Sequence, residues 1–544
     1  MTAVDTALEY RRLRAPREDG QMLMLPSLDR VGEWAAENQV LRLAEARAEY
    51  DVQGRSLGEL GAQARSELLQ QALAYTRDYR DVDEPRSADR IFLAGHQPQL
   101  FHPGVWFKNF TLSHLANRHR AVAINLLIDN DTVKGAAVKV PGGSVAAPVM
   151  RNIAFDASSS GIPYEERRII DHDLFNSFGR RAAEHLRPLI RDPLLSEFWP
   201  RVVDRASASG NLGECLAQAR HQLEGQWGAS TLEIPYSRIC QSESFCWFVT
   251  HLLANLPRFW DVYNESLAEY RRLHRLRGAT HPMPDLSAED GWLEAPFWLW
   301  NREDPRRRAV FVRQGGDSLW LTDRAGCEIR LPITPEADAS AAVDLLADLP
   351  RQGIKLRTRA LTTTLWARLA LGDLFMHGIG GAKYDQLTDV LIARFFGFTP
   401  PRFLTLSATL HLPIQQPSFQ EEDLRDIDRR LRGLTYHPDR CLDLPTQIDG
   451  DRLFLEAMVA EKQGWIDTAP VGDMARRRFL AIRRINHALQ PWVANRREKL
   501  RRQRNELIRR QRAAAILSWR EYAFCLYPAK KMKIFMLAFP SDRS

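Results

Sequence analysis

Residues 90–134 read RIFLAGHQPQLFHPGVWFKNFTLSHLANRHRAVAINLLIDNDTVK, and the fold turns on how this stretch divides. Ile91 to Ala94 is a short apolar run of the kind that forms a buried strand. Gly95 to Gly104 is punctuated by Gly and Pro and carries His96, Gln97 and His102, so it reads as a loop. From Val105 to Asn117, Val105, Leu112, Leu115 and Ala116 recur at roughly helical spacing, with Trp106 and Phe110 one turn apart. Ala121 to Ile128 is a second strand, apolar except for Asn125, and it runs into Asp129-Asn130-Asp131. Strand, loop, helix and parallel strand make one βαβ unit, hence an α/β fold. Such units bind ligands beyond the carboxyl ends of their strands, where both polar clusters fall.

The chain around this unit has 544 residues, enough for two to four domains and a large core. No apolar run approaches the ~20 residues that cross a bilayer, and Met1 to Asp19 lacks the apolar centre of a signal peptide. No membrane role is expected. Six cysteines are scattered without a CxxC pair, which argues for reduced thiols in a cytoplasm and against a zinc site. The formal charge of +7 is not spread evenly. Arg476 to Arg512 holds 14 Lys/Arg against Glu498 and Glu506, so the rest of the chain is mildly acidic. Nucleic-acid binding would rest on that segment alone. It has few interleaved aromatics, Phe479 and Trp492, and has i,i+4 pairs such as Glu498–Arg502, so it reads as a solvated helix face.

Residues 1–88 read as a helical N-terminal segment and 89–410 as the α/β core, with insertions at about 160–350. Within the insertion, Leu232-Glu233-Ile234-Pro235 is a short strand ending in Tyr236, Ser237 and Arg238. Phe245 to Arg272 reads as one long helix kinked at Pro257. His281 to Leu286 forms a rigid loop, and Glu294 to Leu331 reads as antiparallel strands. A second α/β segment starts near Lys355, with a strand over Leu356–Thr363. Residues 411–519 read as helices only, with a stripe at Phe479, Ile482, Ile485, Leu489 and Trp492; 520–544 turns apolar again and returns to the core.

The Gly95–Lys108 loop is the leading candidate for chemistry. Gly104 opens the helix, so backbone N–H groups and the helix dipole face a ligand, and Lys108 one turn in adds a positive charge. His96 and His102 can bind phosphate or pass protons. Asp129 and Asp131, with Asn130 between them, can orient an amine or hydroxyl, or hold Mg²⁺. A second Gly-rich turn enters a helix at His377, Gly380, Gly381, Lys383, Tyr384 and Asp385, and its glycines let a ligand approach the backbone. No residue set is assigned to a resident metal. His102-Pro103-Gly104-Val105 is similar to the His-x-Gly-His signature of nucleotidylyltransferases, with Val105 at the second histidine, which makes ATP or ADP with Mg²⁺ a candidate cofactor.

Taken in order, these motifs resemble those of the bacillithiol biosynthesis cysteine-adding enzymes. Gly95-His96-Gln97, Pro103-Gly104 with Lys108, Asp129-Asn130-Asp131, Gly380-Gly381, Gln386-Leu387, Pro401-Arg402, Ser407-Ala408-Thr409 and Arg520-Glu521 are the counterparts of that family's motifs. The resemblance implies a Rossmann-like core with insertions, a C-terminal helical coiled-coil arm and a homodimer through that arm. It implies ligation of an amino acid, cysteine in the family, to a small amine-bearing sugar or acyl substrate. Here His96 replaces a glutamine, His102 is extra, and the acidic run lacks its histidine. The opening of the loop also resembles WbqC-like proteins over His96-Gln97-Pro98, Phe101, Pro103 and Lys108. From the residues themselves, Gly104 and Lys108 hold an anionic group, His96 and His102 handle protons, and Asp129 and Asp131 orient the amine. A non-catalytic protein acting through the basic helices is the remaining alternative.

Overall fold

The computed structural model describes residues 8–10, 12–85, 89–159, 161–278, 280, 283–442, 450–469 and 471–539. His281 and Pro282 of the expected rigid loop lie outside these. The chain is mixed α/β and divides into two compact units. The first comprises 1–140, 151–412 and 520–544; the second comprises 141–150 and 413–519.

In chain order the strands are β1 (Met22–Leu25), β2 (Ile91–His96), β3 (Val122–Leu127), β4 (Ala137–Gly143), β5 (Pro148–Ala154), β6 (Leu232–Pro235), β7 (Ala288–Glu289), β8 (Trp292–Asn301), β9 (Arg308–Gly315), β10 (Ser318–Thr322), β11 (Glu328–Leu331), β12 (Ile354–Thr358), β13 (Leu374–Gly378) and β14 (Phe403–Ala408). The central sheet runs β1-β14-β13-β2-β3-β6. All its neighbours pair in parallel except β1, which lies antiparallel on β14. β1 falls within the stretch expected to be helical; the tetrapeptide Met22–Leu25 is too short for a periodicity to declare itself, and β14 supplies its partner.

Period-two alternation builds this sheet into a three-layer core. Ile91, Leu93, Ile124 and Leu126 face the helix Leu57–Arg77 and the helix Glu243–Ala254, packing with Leu60, Leu68, Phe248 and Trp366. Phe92, Ala94 and Ala123 face the opposite way and pack with Leu112, Leu115 and Ala116 of the helix Pro103–Arg118. Both faces are therefore covered, which is why β3 is buried at every position and reads as an apolar run.

The second sheet is antiparallel, in the order β11-β10-β9-β8-β12 with β7 beside β8. The strand expected at Leu356–Thr363 is β12, which ends at Thr358 and pairs antiparallel with β8 rather than joining the parallel sheet. Ala360–Trp366 is helical instead, its hydroxyls turned back onto the helix: Thr363 and Thr364 bond the carbonyls of Arg359 and Ala360. Phe245–Arg272 is two helices, Glu243–Ala254 and Leu256–Leu273, broken at Asn255 so that Pro257 takes a first-turn position.

The second unit contains the helices Glu421–Tyr436, Gly450–Asp467, Asp473–Ala488 and Ala494–Leu517. Ile427, Leu434, Val493 and Leu500 form one small core; Leu455, Ile485 and Leu489 form another. The expected stripe is thus only partly buried, and Phe479 is 61% exposed. Basic side chains here are matched locally, Arg502 to Glu498 at 3.0 Å, Arg510 to Glu506 at 3.2 Å and Arg504 to Asp428 at 2.6 Å. No helix among the described residues is long and apolar enough to cross a membrane.

Candidate functional site

Along the central sheet, chain order runs outward from β2 in both directions: to β3 and β6 on one side, to β13 and β14 on the other. A crevice opens where the direction reverses, beyond the carboxyl ends of β2 and β13. It has a volume of about 490 Å³. His102, Gly104 and Lys108 line it from the first Gly-rich loop and its helix; Gly378, Gly380 and Lys383 line it from the second. Ser407 on β14, Arg14 and the pair Arg520-Glu521 complete the charged and polar wall. Tertiary structure therefore brings together residues about 275 positions apart that sequence motifs had flagged separately.

Lys108 is 5% exposed, and its ammonium donates to the Gly95 carbonyl at 2.7 Å. No carboxylate lies within ion-pair distance among the described residues. Burial, and then the nearby Arg220 guanidinium, lower its pKa to about 8. Four cationic residues (Arg14, Lys108, Lys383, Arg520) face the crevice against one carboxylate, Glu521. The Arg520 Nε is itself buried without a hydrogen-bond partner.

His102 caps its own helix. Its Nδ1 accepts from the Gly104 N–H at 3.1 Å and its carbonyl accepts from Val105 and Trp106. The first amides of the helix are spent on this cap, so His102, not free backbone, faces the crevice. Burial lowers its pKa to about 4, leaving it neutral with the proton on Nε2, a donor. Gly104 is required by space: a Cβ there would collide with the Ala408 carbonyl. At Gly380 a Cβ would meet nothing within 4 Å, which leaves the backbone open.

The acidic run beyond β3 splays three ways. Asp129 lines a second cleft of about 270 Å³ together with Glu165, Glu214, Ser237, Arg238 and Lys355. Burial, and then Glu165, raise the Asp129 pKa to about 7. Asn130 is buried and donates to the Thr358 carbonyl at 2.9 Å. Asp131 accepts from Gln97 at 2.9 Å and pairs with Arg307 at 3.1 Å. Asp129 and Asp131 thus do not share a site.

His96 lines neither cleft. It is 7% exposed, and its Nε2 lies 3.0 Å from Asn109 Oδ1. Asn109 donates to Glu224 at 2.8 Å, as does Trp106 at 2.6 Å; Arg220 bridges Glu224 and Glu233, and Asn125 donates to Glu233 at 2.5 Å. Burial and Arg220 hold the His96 pKa well below its usual value, so it is a neutral member of a buried polar network. That network was missed, although Glu233 inside an apolar strand was its signal. His221, Glu224 and Glu233 have ligand atoms close enough to surround a cation. Arg220 already bonds both carboxylates, and His221 is engaged by Tyr79 at 2.7 Å and Thr231 at 2.9 Å. The arginine takes the cation's place, and these residues do not fit a metal.

The second Gly-rich turn divides too. His377 Nε2 lies 2.9 Å from Asp385, which also accepts from Arg368 at 2.7 Å. Burial pushes the Asp385 carboxyl up, but His377 and Arg368 outweigh it and hold it well below the usual range. Gly381 is forced by this pair, since a Cβ would stand 2.7 Å from the His377 ring. Burial lifts the Tyr384 hydroxyl to about 12. These residues brace the turn, while Gly380 and Lys383 reach the crevice. No protein-family model matches the chain, and a search of curated proteins finds no match either.

Proposed function

We propose that this chain is a ligase or transferase that joins an amino acid to a small amine-bearing sugar or acyl substrate, as in the cysteine-adding family it resembles. The observation that carries the reading is Lys108: a buried ammonium with no carboxylate partner among the described residues, on the wall of a cationic crevice at the reversal of a parallel sheet. A buried, unpaired cation is costly, and an anionic ligand group relieves that cost. The anionic end of one substrate sits against Lys108, Lys383 and Arg520, with His102 Nε2–H donating to it. Held there, its reacting carbon is polarised and oriented. Asp129 serves the other substrate from the second cleft. The reading carries with it a Rossmann-like core, a cytoplasmic setting and a homodimer through coiled-coil helices of the second unit.

Calorimetry with inorganic phosphate and with malate tests the anion site. Binding with micromolar to millimolar Kd, lost in Lys108→Met, is the expected result; no binding, or binding indifferent to Lys108, overturns it. A second reading, nucleotidyl transfer from ATP, is favoured by the same cationic lining. Glu521 is the crevice's one carboxylate, so Mg²⁺ would arrive on the nucleotide. ATP binding at least tenfold tighter than phosphate would favour that reading.

A further inference from the structure

Both oxygens of Asp129 are held by a single residue. The Ser237 N–H donates to Oδ1 at 2.9 Å and the Ser237 hydroxyl to Oδ2 at 2.5 Å. Ser237 stands in the turn Tyr236–Ile239 that follows β6, so this contact ties together the segments beyond the carboxyl ends of two adjacent parallel strands. Other charged groups reach the cleft from every side. Glu165 comes from the turn Tyr164–Glu166, Lys355 from β12, Glu214 from the helix Leu212–Gln226 and Arg238 from the turn after β6, while Arg357 of β12 stands behind Glu165. Buried Tyr75 and Cys240 stand nearby with their protons kept on by burial. Glu165 is paired on its far side: Arg357 clamps it at 2.9 and 3.0 Å and Lys355 reaches it at 3.2 Å. Among the described residues no cation lies within ion-pair distance of Asp129, and the pull of the nearby Arg357 is outweighed by burial and Glu165.

We infer that this smaller cleft is the proton-transfer centre of the reaction, in which Asp129 takes the proton of an attacking primary amine and Ser237 is its positioning residue. The inference rests on the ligation proposed above. As the amine lone pair forms the new bond to the carbonyl carbon of an acyl phosphate, the C–O bond to phosphate breaks and its electron pair leaves with the phosphate. The surplus proton on nitrogen passes to Asp129 and then to solvent. A carboxylate whose affinity for protons lies near neutrality can do both steps, whereas an ordinary surface carboxylate is too weak a base. Ser237 fixes the carboxylate's plane and, by donating to it, keeps it from being protonated throughout the working range.

The test uses the full chain without any substrate. A water-soluble carbodiimide reacts with protonated carboxyls, and peptide mass mapping follows its addition to Asp129 against pH. The labelling midpoint is expected near pH 7 in the native chain. It should move upward by about one unit in Ser237→Ala and return in Ser237→Thr, because the hydroxyl donor favours the ionised form. Methylammonium should protect Asp129 at least fivefold more than tetramethylammonium, which has no N–H. A midpoint below pH 5, a midpoint unmoved by Ser237→Ala, or equal protection by both ions overturns the inference. Phosphate calorimetry on the same preparations separates the two readings. A chain that binds phosphate through Lys108 but has an ordinary Asp129 defeats this inference alone. A chain with the expected Asp129 and no phosphate binding defeats the larger-crevice reading alone.

Discussion

Lys108 and Asp129 each hold an ionisable group where its charge is disfavoured, and each makes a stability prediction of definite sign. The Lys108 pKa is depressed to about 8. Below that pH the folded chain bears a buried ammonium; above it the folded chain sheds the proton while the unfolded chain keeps it to about 10.5, so stability rises across that window. Lys108→Met should therefore stabilise the protein at pH 7 by about 1–3 kcal/mol in urea unfolding while abolishing anion binding. In the native chain anion affinity should fall as pH rises past 8, since the ligand needs the charged form. Asp129 behaves oppositely. Its raised pKa of about 7 means that stability is greatest below its unfolded value and is lost as pH rises through 7. Asp129→Asn should match the native chain in thermal unfolding at pH 4 and exceed it at pH 8; equal differences at both would refute the assignment.

At the scale of elements, the glycines entering the two helices should respond differently. Gly104→Ala forces a methyl against the Ala408 carbonyl of β14, and a loss of about 2–4 kcal/mol is expected. Gly380→Ala meets no atom, so unfolding should change by less than about 1 kcal/mol while anion affinity drops through the added bulk at the crevice. Measuring unfolding and phosphate binding on both variants checks the pair. β3 reports on the sheet itself: Ile124 is fully buried between layers, and Ile124→Ala should cost about 2–5 kcal/mol.

For the whole molecule, buried titratable groups decide the response to acid. His96, His102, His221 and His251 are all held neutral by burial, whereas Asp129 is raised. Between pH 6.5 and 4 the unfolded chain charges four histidines that the folded chain keeps neutral. The folded chain keeps the Asp129 proton, which the unfolded carboxyl releases. The histidines prevail, so stability should fall as pH falls, at about 3–4 kcal/mol per unit near pH 5, visible as a shrinking urea midpoint. The second unit, with small cores and local ion pairs, should respond more to ionic strength than the first.

The strand–loop–helix–strand reading of residues 90–134 needed only local pattern. β2, the helix Pro103–Arg118 and β3 follow from apolar spacing and Gly/Pro punctuation, which are properties of neighbours in sequence. So was the loop's polar character, and the Gly-rich turn at 377–385. Which residues share a cavity was not local. Strand order puts Lys108 beside Gly380 and Lys383, and β6 carries Ser237 to Asp129, across separations that no periodicity encodes. Direction of side chains was likewise decided by packing. His96 turned into a buried network that Glu224 and Glu233 complete, His102 spent its Nδ1 on capping its own helix, and neighbours in Asp129-Asn130-Asp131 went to three different partners. Sequence determined most of the segments that form strands and helices, β1 and Ala360–Trp366 excepted, because backbone hydrogen bonding and amphipathic spacing act over a few residues. Only the tertiary structure decided which charges lie buried without partners, because that depends on what the rest of the chain brings to them.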